Sequence, residues 1–138
     1  MLTLDPKEND NLLVDMGEHT FTVLNLYPYN NGHLMIVPKR HTNDFSGLTK
    51  EELTECFEKL QFAEKALRKV LNPHGFNIGA NIGRVAGAGI EDHIHFHIVP
   101  RWNGDSNFMP IIGDVKVISQ DLAETKSKLL QAYSEIKR

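Results

Sequence analysis

The segment "EDHIHFHIVPRW", residues 91–102, places histidines at three alternate positions, His93, His95 and His97. In an extended strand, residues two apart point to the same face and lie about 6.6 Å apart along the chain. The three imidazoles are therefore predicted to share one face, while the apolar residues between them point into the core. A neutral imidazole can act near neutral pH as a nucleophile, a hydrogen-bond donor or a metal ligand.

Three interpretations of this row of histidines remain open from the residues alone. It could be the polar, hydrogen-bonded face of a half-buried strand. Two neighbouring histidines, with His33 or His41 as a third ligand, could hold zinc, although the outer pair lies about 13 Å apart and cannot share one ion. The third interpretation is nucleophilic catalysis, in which His95 attacks, because it alone has a histidine on both sides. We favour the third interpretation and predict no metal site.

The stretch before the histidines, "NIGRVAGAGIEDH", is rich in glycine and precedes them directly. Gly83, Gly87 and Gly89 would allow backbone N–H groups to turn toward an anion, and Asn81 and Arg84 add donors. The stretch lacks the Gly-Lys-Ser/Thr ending of a P-loop, and a strand follows it, so neither P-loop nor Rossmann chemistry is indicated. Alone it is equally typical of a flexible hairpin loop. Beside the histidines it favours a phosphate as the electrophile.

The surrounding elements follow from apolar spacing. Two apolar stretches around the turn "PYNNG" predict a hairpin. A possible capping box, Thr49 with Glu52, precedes apolar residues at helical spacing and predicts a long helix over 49–71. "GFNIGANIG" and "HIHFHIVP" predict two further strands, and a second helix is predicted over 121–136. Because only one connection is long enough for a crossover helix, this order favours an α+β domain with an antiparallel sheet.

Composition limits the classes of protein. A chain of 138 residues suits one domain, 1–138, with a loose lead-in over 1–10. The net charge of −3 offers no basic surplus, so no nucleic-acid partner is expected. The single cysteine, Cys56, excludes an internal disulfide and a multi-cysteine zinc framework. The sequence shows no signal-peptide pattern and no long apolar run, which predicts a cytoplasmic protein without a membrane partner.

The string "HIHFHIV" resembles the signature of the histidine triad (HIT) family, His-φ-His-φ-His-φ-φ with φ apolar. The block "NLYPYNNGHLMIVPKRH" resembles the strand pair of the same family, with its Pro, Gly-His and Pro-Lys/Arg-His pattern. The resemblance covers residues 23–102 and implies an antiparallel sheet of about five strands, one long central helix and a C-terminal helix. The flanking strings "AGAGIEDH" and "PRWNGDSNFMP" are most similar to the diadenosine tetraphosphate phosphorylase branch.

By position, the resemblance implies roles for four histidines. His95 attacks an α-phosphorus and forms a nucleotidyl-imidazole, with its Nδ1 proton received by the carbonyl of His93. His97 binds a phosphate oxygen, while His93 and His33 form a supporting shell. The implied reaction is cleavage of a dinucleoside polyphosphate, with inorganic phosphate or water as acceptor. No cofactor is required, though magnesium can arrive with the substrate.

The substrate contacts combine the resemblance with the glycine-rich stretch. Asn25 is implied to bind ribose hydroxyls, with Leu26 beside the base, and Asn81 to meet the phosphate end. Trp102 would stack on a base or a partner subunit, or would simply pack. Lys39, Arg40 and Arg101 are anion contacts or solvated rim charges. The predicted substrate-binding residues are Asn25, Leu26, Asn81, Gly87, Gly89 and Trp102.

The remaining expectations concern two alternative functions, the leaving-group acid and the oligomeric state. The alternatives are an adenosine phosphoramidase and a nucleotide-binding scaffold with little turnover. Many triad proteins carry a glutamine or hydroxyl residue just before the first histidine, and residues 87–92 supply neither, so the leaving-group acid is unassigned. The family is commonly homodimeric, and the off-stripe positions of Phe62 and Ala66 are consistent with a second buried helix face.

Overall fold

A computed structural model of the chain describes residues 12–25, 32–83, 93–104 and 115–136, with side chains from residue 123 onward in the last range. The predicted lead-in, 1–10, and residues 28–31 of the "PYNNG" turn lie outside these residues. The strands are β1 (Leu13–Met16), β2 (Thr20–Leu24), β3 (Leu34–Pro38), β4 (Gly75–Ala80) and β5 (Phe96–Arg101). The helices are α1 (Lys50–Leu71) and α2 (Val115–Ile136), with a 3-10 turn at Phe45–Gly47.

The five described strands form one sheet in the order β1-β2-β3-β5-β4, and each neighbouring pair is antiparallel. This confirms the predicted α+β architecture. The apolar pattern predicted β2 to β5 but not β1, which has only four residues and an irregular register against β2 between Leu13 and Asp15. A strand that short carries too little alternation to be recognised locally.

The long helix begins as the capping box predicts. Thr49 Oγ1 accepts a hydrogen bond from the Glu52 N–H at 3.0 Å, and Glu52 Oε1 accepts one from the Thr49 N–H at 2.8 Å. The helix ends at Leu71, where Asn72 takes a left-handed conformation that closes the last turn. The predicted range 49–71 therefore matches α1 with Thr49 as its N-cap.

One face of the sheet packs on α1 and forms the main core. Cys56, Leu60, Ala63 and Leu67 of α1 are buried against the sheet residues Leu24, Leu34, Ile36 and Ile98. Each large side chain buried in this way contributes about 1.5–3 kcal/mol. This packing fixes β3 and β5 as the centre of the sheet, and the histidines lie on or beside these two strands.

The second helix begins six residues earlier than predicted and packs on α1. Phe62 of α1 meets Tyr133 of α2 edge-on, with ring centroids 4.7 Å apart, and Ala66 is fully buried in the main core. Burial of Phe62 and Ala66 is thus explained within the chain, so these residues do not indicate a second buried helix face. None of the helices in the described ranges combines the length and apolar composition that a membrane span requires.

Candidate active site

The histidine segment lies only partly on a strand. β5 begins at Phe96, so only His97 lies on the strand, and His95 and His93 precede it. Ile94, Phe96 and Ile98, which alternate with the histidines, all lie in the main core, as the alternation predicts. β3 ends at Pro38, which has no N–H to extend the ladder, and a side chain binds its carbonyl instead.

His93 is the anchor of the segment. Its Nε2 lies 2.9 Å from the carbonyl oxygen of Pro38, and because a carbonyl only accepts, Nε2 carries the proton. Its Nδ1 is buried and has no hydrogen-bond partner within the described residues. Burial lowers the pKa of His93, partly opposed by the bond to Pro38. His93 is therefore a neutral positioning group. The ring of His41 packs beside it, with the two ring centroids 5.4 Å apart.

His95 has the geometry of a nucleophile. Its Nδ1 lies 3.3 Å from the carbonyl oxygen of His93, as the family resemblance implies, so Nδ1 donates and the lone pair remains on Nε2. The residue is 4% exposed. Burial lowers the pKa of His95, although the bond to the His93 carbonyl acts in the opposite direction. At neutral pH the imidazole is therefore uncharged and able to attack.

His97 lies between two other imidazoles. Its ring centroid is 5.6 Å from that of His95, nearly perpendicular, and 5.3 Å from that of His33. The Nδ1 of His97 is 3.4 Å from Nε2 of His33, although the two residues are 64 positions apart in sequence. Burial and then the neighbouring His95 lower the pKa of His97. The sheet brings these imidazoles together because Met35, two residues after His33, pairs with His97 across β3 and β5.

Gly32 allows His33 to reach this position. Its φ is +90°, and a Cβ at this residue would lie 2.6 Å from a methyl carbon of Leu71 on α1. A larger residue would therefore be strained at this φ and would displace the methyl group of Leu71. The Gly-His pair in the sequence thus has a packing reason as well as a chemical one.

Of the predicted substrate contacts, Asn25 joins the histidines directly, with its Nδ2 3.0 Å from Nδ1 of His33. Asn81 directly follows β4, whose last residue pairs with Phe96, so it lies at the histidine end of the sheet. Trp102 follows β5 at the opposite end, about 16 Å along the strand from His97. Leu26, Arg84, Gly87 and Gly89 lie outside the described residues, as do all of residues 87–92, where the leaving-group acid was sought.

Residues 38–42 support the histidine segment from the side, and the sequence did not reveal this role. The carbonyl of Thr42 accepts a hydrogen bond from the Ile94 N–H at 2.8 Å, so residues 38–42 bind the histidine segment twice. Arg40 in this segment pairs with Glu52 of α1, and its guanidinium holds the pKa of that carboxyl at about 2. Arg40 therefore serves the fold rather than an anion, a role that the sequence spacing gives no means of detecting.

The described residues contain no cluster of ligands that would support the metal interpretation. Among the described residues, no group of three or more His, Cys, Asp or Glu side chains has a geometry suited to one ion. His33 contacts His97 and His41 contacts His93, so the two candidate third ligands lie beside different members of the row.

Comparison with known proteins places this site in a family. The HIT domain family matches residues 6–104, and the chain therefore belongs to that family. An AP-4-A phosphorylase from Mycobacterium tuberculosis is 46% identical over 127 residues, which are 92% of this chain. The match covers 65% of the phosphorylase, so the chain spans less than two thirds of that relative.

Two further relatives agree with this assignment. A bis(5'-adenosyl)-triphosphatase from Dictyostelium discoideum is 34% identical over 84 residues, covering 61% of this chain and 56% of that protein. A hypothetical histidine triad nucleotide-binding protein from Sulfolobus tokodaii has a structure that superposes with a TM-score of 0.80 at 25% identity, over 99% of this chain and 95% of its own. The fold is thus that of a histidine triad protein.

Proposed function

We propose that this chain cleaves dinucleoside polyphosphates at an α-phosphate through a nucleotidyl group carried on His95. The observation that supports this most directly is the contact between His95 Nδ1 and the carbonyl of His93, which leaves the Nε2 lone pair available. The substrate class is supported by the names of two relatives, the AP-4-A phosphorylase and the bis(5'-adenosyl)-triphosphatase.

The first chemical step makes one bond and breaks another. The Nε2 lone pair of His95 attacks the α-phosphorus, and the bond from that phosphorus to the bridging oxygen breaks, so the remaining nucleoside polyphosphate leaves with the electron pair. The imidazole becomes positively charged, and the carbonyl of His93 stabilises it through the Nδ1 proton. His97, beside His95, donates to a phosphate oxygen on which negative charge develops.

The second step releases the nucleotide. Water or inorganic phosphate attacks the phosphorus, the bond to Nε2 breaks, and the imidazole returns to its neutral form. With diadenosine tetraphosphate, ATP leaves first; water then releases AMP, whereas phosphate releases ADP. The first step needs no metal-bound water, because the nucleophile is the side chain itself.

The experiment compares His95→Ala and His95→Asn with the parent chain on diadenosine tetraphosphate, with and without phosphate. Turnover is expected to fall at least about a thousandfold, by analogy with the loss of a nucleophile elsewhere. Mass spectrometry of protein quenched at alkaline pH, where the P–N bond survives, should show an adenylyl group on the parent and none on the variants. His74→Gln is the matched control, because His74 binds the Asn103 N–H at the far end of β4 and β5. Retained turnover without His95 would remove it from the mechanism.

We also propose that two copies of the chain pair along β4 and α1. Of the described strands, β4 lies at one edge of the sheet and so has backbone groups available to a further strand. Ile78 on β4 and Phe57 on α1 are each 55% exposed, and Ile82 is 48% exposed. Phe57 packs on Phe96 with centroids 6.1 Å apart, so the exposed apolar surface continues into the core beside the histidines.

The dimer predicts a light-scattering mass near twice the 15.6 kDa of one chain. Ile78→Glu with Phe57→Glu should yield a single-chain mass, since two carboxylates would be buried unpaired at the contact. Leu130→Glu on α2, where the parent leucine is also exposed, is the matched control and should stay dimeric. A single-chain mass for the parent protein would contradict the proposal.

A further inference from the structure

We propose that Asn25 is a positioning residue that acts through His33 to hold the proton of His97 on Nε2. His97 would then present an N–H donor, rather than a lone pair, toward the substrate phosphate. This role differs from the ribose contact predicted for Asn25, and its catalytic consequence rests on the proposed function.

The argument begins at the side-chain amide of Asn25. Its Nδ2 carries two hydrogens and only donates, and it lies 3.0 Å from Nδ1 of His33. The Nδ1 atom of His33 must therefore accept, which places the proton of a neutral His33 on Nε2. With the proton on Nδ1, two N–H groups would face each other at hydrogen-bond distance.

The same argument applies to the contact between His33 and His97. His33 Nε2 lies 3.4 Å from Nδ1 of His97, at the long end of the hydrogen-bond range. Since His33 Nε2 carries a hydrogen, His97 Nδ1 must accept, and the proton of a neutral His97 is left on Nε2. The three side chains thus form one series of hydrogen bonds that all run in the same direction. The series starts at the amide of Asn25 and ends at Nε2 of His97.

The series requires His33 to be neutral, and its surroundings ensure this. His33 is 4% exposed, and burial, with the nearby rings of His97 and His95, lowers its pKa to about 3. At neutral pH the ring therefore carries one proton, and one tautomer is selected by the amide. A doubly protonated ring would have no acceptor for the Asn25 amide.

Backbone pairing keeps the first contact in place. The N–H of Asn25 donates to the carbonyl of His33 at 2.9 Å, which extends the ladder in which Leu24 faces Leu34. Asn25 and His33 are therefore directly opposite each other across β2 and β3, although eight residues separate them in sequence. This register is held by the core beneath it, so the two side chains start from opposite positions on neighbouring strands.

The test substitutes Asn25→Asp, which keeps the shape but replaces the donor with an acceptor. One adjacent carboxylate raises a histidine pKa by about 1–3 units, so His33 stays neutral at about pH 8. Its proton should move to Nδ1, and His97 should then carry its own proton on Nδ1. Nitrogen-15 NMR of the imidazoles, assigned with His33→Gln and His97→Gln, distinguishes the two tautomers directly. Gln61→Glu, an exposed substitution on α1, controls for the added charge.

The kinetic readout separates this role from a ribose contact. In Asn25→Asp we expect kcat for diadenosine tetraphosphate to fall about a hundredfold, as for loss of one donor to a developing charge, with KM less affected. The same loss should persist with a substrate lacking the 2' and 3' hydroxyls. A loss that disappears with that substrate would assign Asn25 to ribose binding alone and overturn the proposal.

The NMR result does not depend on turnover. If His95→Ala retained activity, the proposed function would fail while the tautomers of His33 and His97 could still be as inferred. Conversely, a parent protein with the His97 proton on Nδ1, or tautomers unchanged in Asn25→Asp, would overturn the inference and leave the role of His95 standing.

Discussion

Arg40 and Glu52 form a two-point ion pair, in which Nε and Nη2 of the guanidinium each lie 2.9 Å from a different carboxylate oxygen. Arg40 also donates to the carbonyl of Gly47 at 3.1 Å. Glu52 at the same time caps α1 through Thr49. A single carboxylate therefore links the start of the long helix to the segment whose carbonyls hold His93 and Ile94.

Arg40→Ala should lower both the melting temperature and kcat. Without the guanidinium, the buried carboxylate of Glu52 loses two charged hydrogen bonds, and residues 38–42 are free to shift. A small displacement of His95 suffices to reduce kcat by about tenfold to a hundredfold. Thermal unfolding and steady-state kinetics measure the two effects.

A second substitution isolates the buried charge. Arg40→Ala combined with Glu52→Gln should be more stable than Arg40→Ala alone, because no unpaired carboxylate remains. Arg68→Ala is the matched control, since Arg68 pairs with Glu64 on the exposed side of α1. Equal kcat losses for Arg40→Ala and Arg68→Ala would exclude a specific role for the Arg40 pair.

The pH profile of activity should extend below the ordinary range of histidine. Only neutral His95 can attack, and burial lowers its pKa. The acid limb of kcat/KM is therefore expected below about pH 6.5, and activity at slightly acidic pH should match that at neutral pH. The measurement is kcat/KM against pH in buffers of constant ionic strength. An acid limb above the ordinary histidine pKa would show that a different group controls the rate.

Stability should decline with acid in two stages. The buried histidines have lowered pKa values, His33 the lowest at about 3, so the unfolded chain gains protons below about pH 6.5 while the folded chain does not. Glu52, with a folded pKa of about 2 against an ordinary 4.5, stabilises the fold above pH 4.5, and that contribution is lost as pH falls toward 2.

Chemical unfolding at several pH values resolves the first stage. Between about pH 6.5 and 4, the slope of the free energy of unfolding against pH reports how many more protons the unfolded chain binds. His33→Gln should reduce that number by about one. The idea fails if His33→Gln leaves that slope unchanged.

Metal removal should leave the first chemical step intact. Because the imidazole of His95 is the proposed nucleophile, no metal-bound water is needed for nucleotidyl transfer to the protein. After dialysis against EDTA, the parent chain should still acquire an adenylyl group from diadenosine tetraphosphate. Loss of the adduct that zinc restores, together with stoichiometric zinc in the untreated protein, would instead support the metal interpretation.

Much of the local structure was predictable from residue spacing. The capping box and the apolar residues of α1 predicted that helix to within one residue, because its hydrogen bonds and packing face depend on neighbours three or four positions away. The alternation around His97 predicted a strand, and the order of elements predicted an α+β sheet. The four-residue β1 and the early start of α2 were missed, because neither has a strong periodic signal of its own.

The site was predictable in its residues but not in its connections. The histidine row identified His95 as the nucleophile candidate, and the family resemblance implied its contact with the His93 carbonyl, which the structure shows at 3.3 Å. The start of β5 at Phe96, after His95, was not predicted, because it depends on how far the pairing with β3 and β4 extends.

Sequence by itself thus determined which side chains could do chemistry and which helices and strands carry them. The tertiary structure alone decided that His33 lies against His97, that Asn25 donates to His33, and that Arg40 is occupied by Glu52. The physical reason is range: helix caps and strand alternation are set by residues a few positions apart. Contacts across 64, 8 and 12 positions depend on strand register and on the core that α1 and the sheet form together.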